Sequence, residues 1–199
     1  MIERYLGEVG AATAAVDVGQ LVEVTEALMG AWARGGTVYT LGNGGSAALA
    51  SHLACDLAKN TAPDLGSGAD VPGKRRLRVV GLADNGALLT ALANDLAFAD
   101  IFAEQLKTVL TAKDLVLAIS GSGTSDNVLR AMRYARTVGA TTVAFTGSRL
   151  SAAPMLALAD HVVRAPAEVM EQIEDLHVIF NHALAVALRE RIAGLSSAP

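Results

Sequence analysis

Apolar and polar residues along the chain follow two alternating patterns. Short, almost continuous apolar runs are typical of buried strands, and the segments between them carry apolar residues at helical spacing. The five runs predicted to be strands are TVYTL (37–41), LRVVGL (77–82), DLVLAI (114–119), TTVAFT (141–146) and HVVRA (161–165). Because strands that alternate with helices usually pair in parallel and are covered on both faces, the pattern predicts an α/β fold with three αβα layers and a five-stranded parallel sheet.

The two ends of the chain carry helical patterns without a strand. Residues Ile2 to Arg34 predict one or two helices that end at Gly35-Gly36, a strong helix stop. A further long helix is predicted from about Glu168 to Ile192. The segment 60–74 is rich in Gly, Pro and Asp and predicts a surface loop. We therefore expect one domain over 1–199, with N-terminal helices over 1–35, the alternating core over 36–165 and a C-terminal helix over 166–194.

Composition and charge narrow the class of protein. The 199 residues are 52% hydrophobic but only 4% aromatic, so the core is built mainly from Ala, Val and Leu, and Ala-rich helical faces suggest subunit association. A net charge of -4 argues against a nucleic-acid partner.

Cys55 is the single cysteine, which excludes an internal disulfide and favours a reducing compartment. The acidic N-terminus is unlike a secretory signal and no uncharged apolar stretch approaches the roughly 18 residues of a membrane span, so we expect a cytoplasmic protein without a membrane partner.

Glycine and hydroxyl residues follow two of the predicted strands. The first strand leads into a glycine loop, GNGGS (42–46), and the third leads into a serine loop, SGSGTS (120–125). The carboxyl ends of parallel strands, followed by helix N-termini with free N–H groups, are typical anion sites. The pattern therefore predicts that a compact phosphate monoester binds at these loops. The alternative, that the serines only cap the following helix, explains Ser125 or Thr124 but not the whole run.

A dinucleotide site is a second interpretation of the glycine loop. Gly42, Gly44 and Ala47 satisfy the loose G-x-G-x-x-A pattern. A dinucleotide-binding unit also needs an acidic residue about 20 residues further on, at the end of the second strand. Asp84 lies nearly twice that distance away, which argues against this interpretation.

Two histidines and two carboxylates form a candidate metal site. His52 and Asp56 are four residues apart on the helix predicted after the glycine loop, so they share one face. Glu174 and His182 are eight residues apart on the last helix, hence about 80° apart around it. Such ligands suit zinc or another divalent metal. From spacing alone, the alternative that these are ordinary surface or packing residues stays open.

The other candidate residues are predicted to be structural. His177 faces a different direction from His182 and is expected to be a packing or interface residue. His161 begins a strand. Cys55 lies one position off the face of His52 and Asp56 and is expected to be a small buried residue rather than a nucleophile.

From Ile2 to Arg191 the chain resembles the sugar isomerase (SIS) family, and within it the phosphoheptose isomerases. The matching motifs are GNGGS at Gly42, ND at Asn94, SGSGTSDN at Ser120 and IEDLHVIFNH in the last helix. The resemblance implies a flavodoxin-like SIS fold, a homotetramer, and a phosphate bound by Ser120, Ser122 and Ser125. The full set of residues expected to contact the substrate is Asn43, Gly44, Gly45, Ser46, Asp56, Asn94, Asp95, Ser120, Gly121, Ser122, Ser125 and Glu174.

The resemblance also implies one zinc ion per subunit. Phosphoheptose isomerases carry His, Glu, Gln and His at the positions that match His52, Asp56, Glu174 and His182. This chain departs from them at two positions, where Asp56 is one methylene shorter and Glu174 is charged. Both side chains remain able to ligate a metal. By the same resemblance, Asp56 is the expected base and His182 the expected acid, with Glu174 an alternative base.

The implied activity is the isomerisation of sedoheptulose 7-phosphate to a D-glycero-D-manno-heptose 7-phosphate for nucleotide-heptose biosynthesis. The glycine and serine loops are shared by many SIS proteins, so they specify a phosphosugar but no reaction. Two alternatives follow: a non-catalytic SIS regulator that binds a replication-initiator protein, and an isomerase of another phosphosugar. The four ligand-capable residues favour the enzyme.

Overall fold

The computed structural model describes residues 1–61 and 76–196, and they form alternating helices and strands. The α-helices are α1 (Ile2–Ala14), α2 (Val18–Arg34), α3 (Gly45–Asn60), α4 (Gly86–Asp95), α5 (Ile101–Val109), α6 (Asp126–Val138), α7 (Ala153–Leu156) and α8 (Met170–Ser196). The strands are β1 (Thr37–Gly42), β2 (Arg78–Gly81), β3 (Leu115–Ile119), β4 (Thr141–Gly147) and β5 (His161–Ala165). Short 3₁₀ turns precede α5 and α7.

All strand pairs of the sheet are parallel, and the strand order is β2-β1-β3-β4-β5. This is the doubly wound order of flavodoxin-like folds, in which ligands bind where the order reverses, beside the carboxyl ends of the first and third strands. Gly42 at the end of β1 pairs with Ile119 at the end of β3. The register therefore places the glycine loop and the serine loop side by side.

Apolar side chains on the two faces of the sheet form two separate cores. Along β3, Leu115, Leu117 and Ile119 point into one core, while Val116 and Ala118 point into the other. The first core is closed by α2, α3 and α8, and the second by α5, α6 and α7. A strand buried on both faces has no polar side to show, which explains the continuous apolar runs in the sequence.

The structure confirms the predicted α/β class, the three layers and the five parallel strands. The N-terminal extension is two helices, and α2 ends at Gly35 as predicted. Most of the predicted surface loop (62–74) lies outside the described residues. None of the described helices is long and apolar enough to cross a membrane.

Candidate functional site

The glycine loop turns the chain sharply from β1 into α3. Gly44 occupies the N-cap position with a φ of 54°, in the left-handed region that favours glycine. Gly45 begins α3, and a Cβ atom placed on it would lie 2.8 Å from Glu174 Oε1. The absence of a side chain at Gly45 thus lets α8 bring a carboxylate against the start of α3.

The serine loop gathers three hydroxyl groups at the start of α6. Ser120 Oγ lies 3.5 Å from Ser122 Oγ and 3.4 Å from Ser125 Oγ. Ser125 is the N-cap residue of α6, but its side chain makes no capping hydrogen bond to the helix. Helix capping therefore does not account for the three serines, and their hydroxyls are available to a ligand.

A reciprocal amide pair joins the two loops. Asn43 Nδ2 donates to Asn127 Oδ1 at 2.9 Å, and Asn127 Nδ2 donates to Asn43 Oδ1 at 2.8 Å. Between the loops lies a pocket of about 300 Å³. Its lining residues are Asn43, Gly44, Gly45, Ser46, Ile119, Ser120, Gly121, Ser122, Ser125, Met170 and Glu174.

The pocket is suited to an anion of phosphate size. The N-termini of α3 and α6 open at the two loops, and each contributes unpaired N–H groups and the positive end of a helix dipole. Within the described part of the chain, the lining includes no Lys or Arg, so backbone and hydroxyl donors replace a basic side chain. Glu174 is the one charged group in this lining.

A second group of polar side chains lies further along the same two helices. His52 and Asp56 come from α3 and His182 from α8. His52 Nε2 lies 3.2 Å and His182 Nε2 3.8 Å from Asp56 Oδ2, and the two imidazole rings are edge to face with centroids 5.1 Å apart. One ligand atom from each residue falls within 4.8 Å of the others. Two imidazole nitrogens and one carboxylate oxygen at this spacing match the three protein ligands that catalytic zinc sites use.

Two asparagines hold the carboxylate of Asp56. Asn181 Nδ2 donates to Asp56 Oδ2 at 3.1 Å, and Asn60 Nδ2 donates to Asp56 Oδ1 at 3.3 Å. The Asp56 side chain is 13% exposed, whereas both histidines of the cluster are exposed. The carboxylate of Asp56 therefore lies on the buried side of the cluster, and the imidazoles of His52 and His182 lie at its solvent-exposed rim.

The structure brings together most of the predicted site residues, but not all. Glu174 lies in the pocket lining instead of in the His52–Asp56–His182 cluster. Eight residues of helix rise about 12 Å along the axis, which separates Glu174 from His182 despite the favourable angle around it. Asn94 and Asp95 are exposed at the end of α4, outside both groups, where Asn94 Nδ2 donates to Asp95 Oδ1. Their substrate contacts stay predictions.

Three residues predicted to be structural have different outcomes. His177 is fully buried between Phe145 and Phe180, as expected of a packing residue, and burial lowers its pKa to about 4. His161 begins β5, as predicted. The prediction that Cys55 is buried was wrong. It is exposed, because its face of α3 borders a cavity of about 690 Å³ beside the edge strand β2.

Sequence reasoning missed three asparagines: Asn127, which fixes the glycine loop, and Asn60 and Asn181, which hold Asp56. A sequence signal existed for Asn181. It is a polar residue within the apolar stripe of α8, next to Phe180 and His182, and polar residues in such stripes need a partner.

Comparisons with known proteins identify the family to which the chain belongs. The model of the SIS domain family matches residues 4–147. The phosphoheptose isomerase of Aquifex aeolicus (strain VF5) is 31% identical over 191 residues, which are 96% of this chain and 94% of that protein. The phosphoheptose isomerase of Solidesulfovibrio magneticus is 34% identical over 187 residues, which cover 92% of this chain and 86% of that protein. The solved structure of phosphoheptose isomerase from Neisseria gonorrhoeae is similar with a TM-score of 0.83 and 26% identity, over 95% of this chain and 97% of that chain.

Proposed function

Because the chain belongs to the phosphoheptose isomerase family of SIS-domain proteins, we propose that it isomerises sedoheptulose 7-phosphate to a D-glycero-D-manno-heptose 7-phosphate. One observation carries this proposal: α3 and α8 each contribute both to the phosphate pocket and to the His52–Asp56–His182 cluster. His52 lies seven positions after Gly45 on α3, a rise of roughly 10 Å. An extended seven-carbon chain with a terminal phosphate spans a similar roughly 10 Å.

The pocket between the two loops anchors the phosphate. The hydroxyls of Ser120, Ser122 and Ser125 and the N–H groups at the start of α3 and α6 are the donors. Binding energy at this remote end holds the reacting carbons against the cluster, where it lowers the entropic part of the barrier.

The carboxylate of Asp56 is the proposed base. The ketose carbonyl at C2 acidifies the C1 proton; Asp56 accepts that proton and an enediol forms. Return of the proton at C2 gives the aldose, while a second proton moves from O1 to O2. His182, on the other side of the cluster, is the proposed acid for this second transfer. The two residues lie on α3 and α8, two helices that pack against each other.

His52, Asp56 and His182 are the residues that would hold a zinc ion. Glu174, which the resemblance implied as a fourth ligand, lies outside this cluster in the pocket lining, so three protein ligands are proposed. The chemistry of the donor set fits the group, since two neutral imidazoles and a carboxylate are common ligands of catalytic zinc. When bound, zinc polarises the carbonyl and hydroxyl oxygens of a substrate. Glu174 is also proposed to contact the substrate, which its place in the pocket lining supports.

Self-association is a further part of the proposal. Apolar side chains on α1, α2 and α8 are exposed, with Leu6 63%, Val22 54% and Val186 43% accessible. Together with the Ala-rich helices, these surfaces support the homotetramer that the resemblance implied. Exposed Asn94 and Asp95 would then be placed by the assembly to contact the substrate. We also propose a cytoplasmic location, in keeping with the single cysteine.

The two alternative functions, a non-catalytic regulator and an isomerase of another phosphosugar, differ in whether they need the His52–Asp56–His182 cluster. A non-catalytic regulator that binds a replication initiator needs the phosphosugar pocket but has no use for a base beside two histidines. The position of Asp56 between His52 and His182 therefore favours the enzyme. An isomerase of another phosphosugar would use the same cluster, and only the substrate assay separates it from the proposed one.

The test is an NMR assay of the purified protein with sedoheptulose 7-phosphate in ²H₂O, with and without added zinc. We expect heptose 7-phosphate that carries deuterium at C2, because the enediol exchanges protons with solvent. Asp56→Asn should abolish turnover, while Glu190→Gln, an exposed acidic residue of α8, should leave it unchanged. Absence of turnover with every divalent metal tried would contradict the enzymatic proposal.

A further inference from the structure

We infer that Asn181 is a positioning residue that fixes the Asp56 carboxylate for both metal binding and proton abstraction. The inference rests on the proposed function and extends it to a residue outside the expected set. Asn181 lies on α8 directly before His182, with its side chain turned into the protein instead of toward the rim of the cluster.

Asn181 acts on the same oxygen that faces the two histidines. Its Nδ2 lies 3.1 Å from Asp56 Oδ2, close to the 3.2 Å between that oxygen and His52 Nε2. The contact joins α8 to α3, so the carboxylate is tied to both helices that build the site. Rotation of Asp56 about its Cα–Cβ bond would break this hydrogen bond.

The orientation of the Asn181 amide follows from the chemistry of its partner. An ionised carboxylate only accepts hydrogen bonds, so the NH₂ group must face Asp56. Asn181 Oδ1 is then directed elsewhere, and among the described residues no donor reaches it although Asn181 is fully buried. A buried acceptor without a partner destabilises the fold. Among the hydrogen bonds of the described residues, the contact with Asp56 is the one that accounts for an asparagine at this buried position.

Asn181 and Asn60 each use one acceptor site of the Asp56 carboxylate and leave others free. Each carboxylate oxygen has two lone pairs. Asn181 occupies one on Oδ2 and Asn60 occupies one on Oδ1. One lone pair remains on each oxygen: Oδ2 can serve a metal held with the histidines, and Oδ1 can accept the substrate proton. The two amides thus divide the two tasks between the two oxygens of one short side chain.

The experiment compares Asn181→Leu, which has the same side-chain branching but no donor, with wild type and with Leu188→Val. Leu188 is fully buried two turns further along α8 and has no polar contact, so it controls for a loosened helix. Asn181→Ala is the second variant, in case leucine does not fit. The measurements are the Kd of zinc by competition with a chromogenic chelator, kcat and KM at saturating zinc, the Tm, and crystal structures without metal.

For Asn181→Leu we expect a zinc Kd raised about 10- to 100-fold, as is usual when a partner of a metal-ligating group is lost. We also expect kcat to fall at least about tenfold with KM nearly unchanged, because the phosphate pocket is untouched. The Tm should fall only modestly, because removal of the unpartnered acceptor offsets part of the loss of the donor to Asp56. Leu188→Val should lower the Tm but leave zinc binding and kcat unchanged.

The metal-free crystal structures separate a failure of this inference from a failure of the proposed function. If Asp56 turns away from His52 in the variant, the positioning role holds even should wild type not act on sedoheptulose 7-phosphate. If wild type is active and Asn181→Leu keeps the Asp56 position, the zinc Kd and the kcat, the inference is overturned alone. Equal losses of zinc affinity and kcat in Asn181→Leu and Leu188→Val would overturn the inference as well.

Discussion

Asn43 and Asn127 exchange two side-chain hydrogen bonds, of 2.9 and 2.8 Å, across the ends of neighbouring strands. Asn127 is almost fully buried, and its Oδ1 also accepts from the N–H of Val128 in the first turn of α6. The pair therefore couples the glycine loop to the serine loop and to the helix dipole behind it. The two loops thus form one hydrogen-bonded unit although they are far apart in sequence.

Replacing Asn127 with alanine should loosen this unit. We expect KM for the phosphosugar to rise about tenfold with a smaller change in kcat, because the pocket binds the remote phosphate and not the reacting carbons. Loss of the buried pair should also lower the free energy of unfolding by about 1–3 kcal/mol. Steady-state kinetics and urea unfolding measure the two effects. An unchanged KM would show that the loops keep their geometry without the amide pair.

Ser125 should be a phosphate ligand and not a helix cap. Because a hydrogen bond to a charged group contributes about 1.5–3 kcal/mol, Ser125→Ala should weaken binding of inorganic phosphate and raise KM by tenfold or more. Its Tm should barely change, since the side chain makes no capping bond. Isothermal titration and thermal unfolding test both statements, with Thr137→Ser on the exposed side of α6 as the control. A lower Tm with unchanged phosphate binding would identify Ser125 as structural.

Glu174→Gln should improve substrate binding. The carboxylate lines the same pocket as the phosphate, and two like charges about 8 Å apart repel by roughly 2 kcal/mol at an effective dielectric constant of about 20. We expect KM to fall several-fold, and zinc binding to stay unchanged because Glu174 lies outside the His52–Asp56–His182 cluster. Glu171→Gln, one turn earlier and exposed, is the matched control. A rise in KM together with loss of zinc would show that the charge of Glu174 serves the metal first.

The core under the site depends on Phe180. It is fully buried and packs edge to face on Phe145 of β4, with ring centroids 5.8 Å apart. Phe180→Ala should lower the free energy of unfolding by about 3–5 kcal/mol, and Phe180→Leu by much less, because leucine leaves a smaller cavity. Urea unfolding followed by circular dichroism measures the difference. Similar losses for the two variants would contradict a packing role.

Much of the fold follows from the sequence because each buried strand is apolar on both faces. The predicted HVVRA strand coincides with β5, and the other strands begin and end within a residue or two of their predicted bounds. The two loops were predictable for the same reason, since strand order and glycine content decide where a parallel sheet binds anions. Local pattern is sufficient for features that depend on one element and its immediate successor.

The features of the site that the sequence did not predict depend on how α8 packs against α3, which no local pattern encodes. The contact of Asn181 with Asp56 joins residues 125 positions apart in the chain. Glu174 and His182 are about 80° apart around an ideal helix, but the rise between them along the helix decides which group each one joins. The burial of Cys55 was misjudged because it depends on what covers that face of α3.

The buried His177 should make stability depend on pH. The unfolded chain takes up a proton on this side chain near the ordinary value of 6.5, whereas burial holds the pKa in the folded protein at about 4. As the pH falls from 6.5 to 4, the unfolded state therefore gains a proton that the folded state does not, and the free energy of unfolding decreases by up to roughly 3 kcal/mol. His177→Gln, which keeps a donor for the carbonyl oxygen of Thr146, should lose this part of the pH dependence. Urea unfolding between pH 7 and pH 4 measures this difference. If the free energy of unfolding depends on pH in the same way for wild type and His177→Gln, His177 takes up its proton over the same pH range in the folded and the unfolded states.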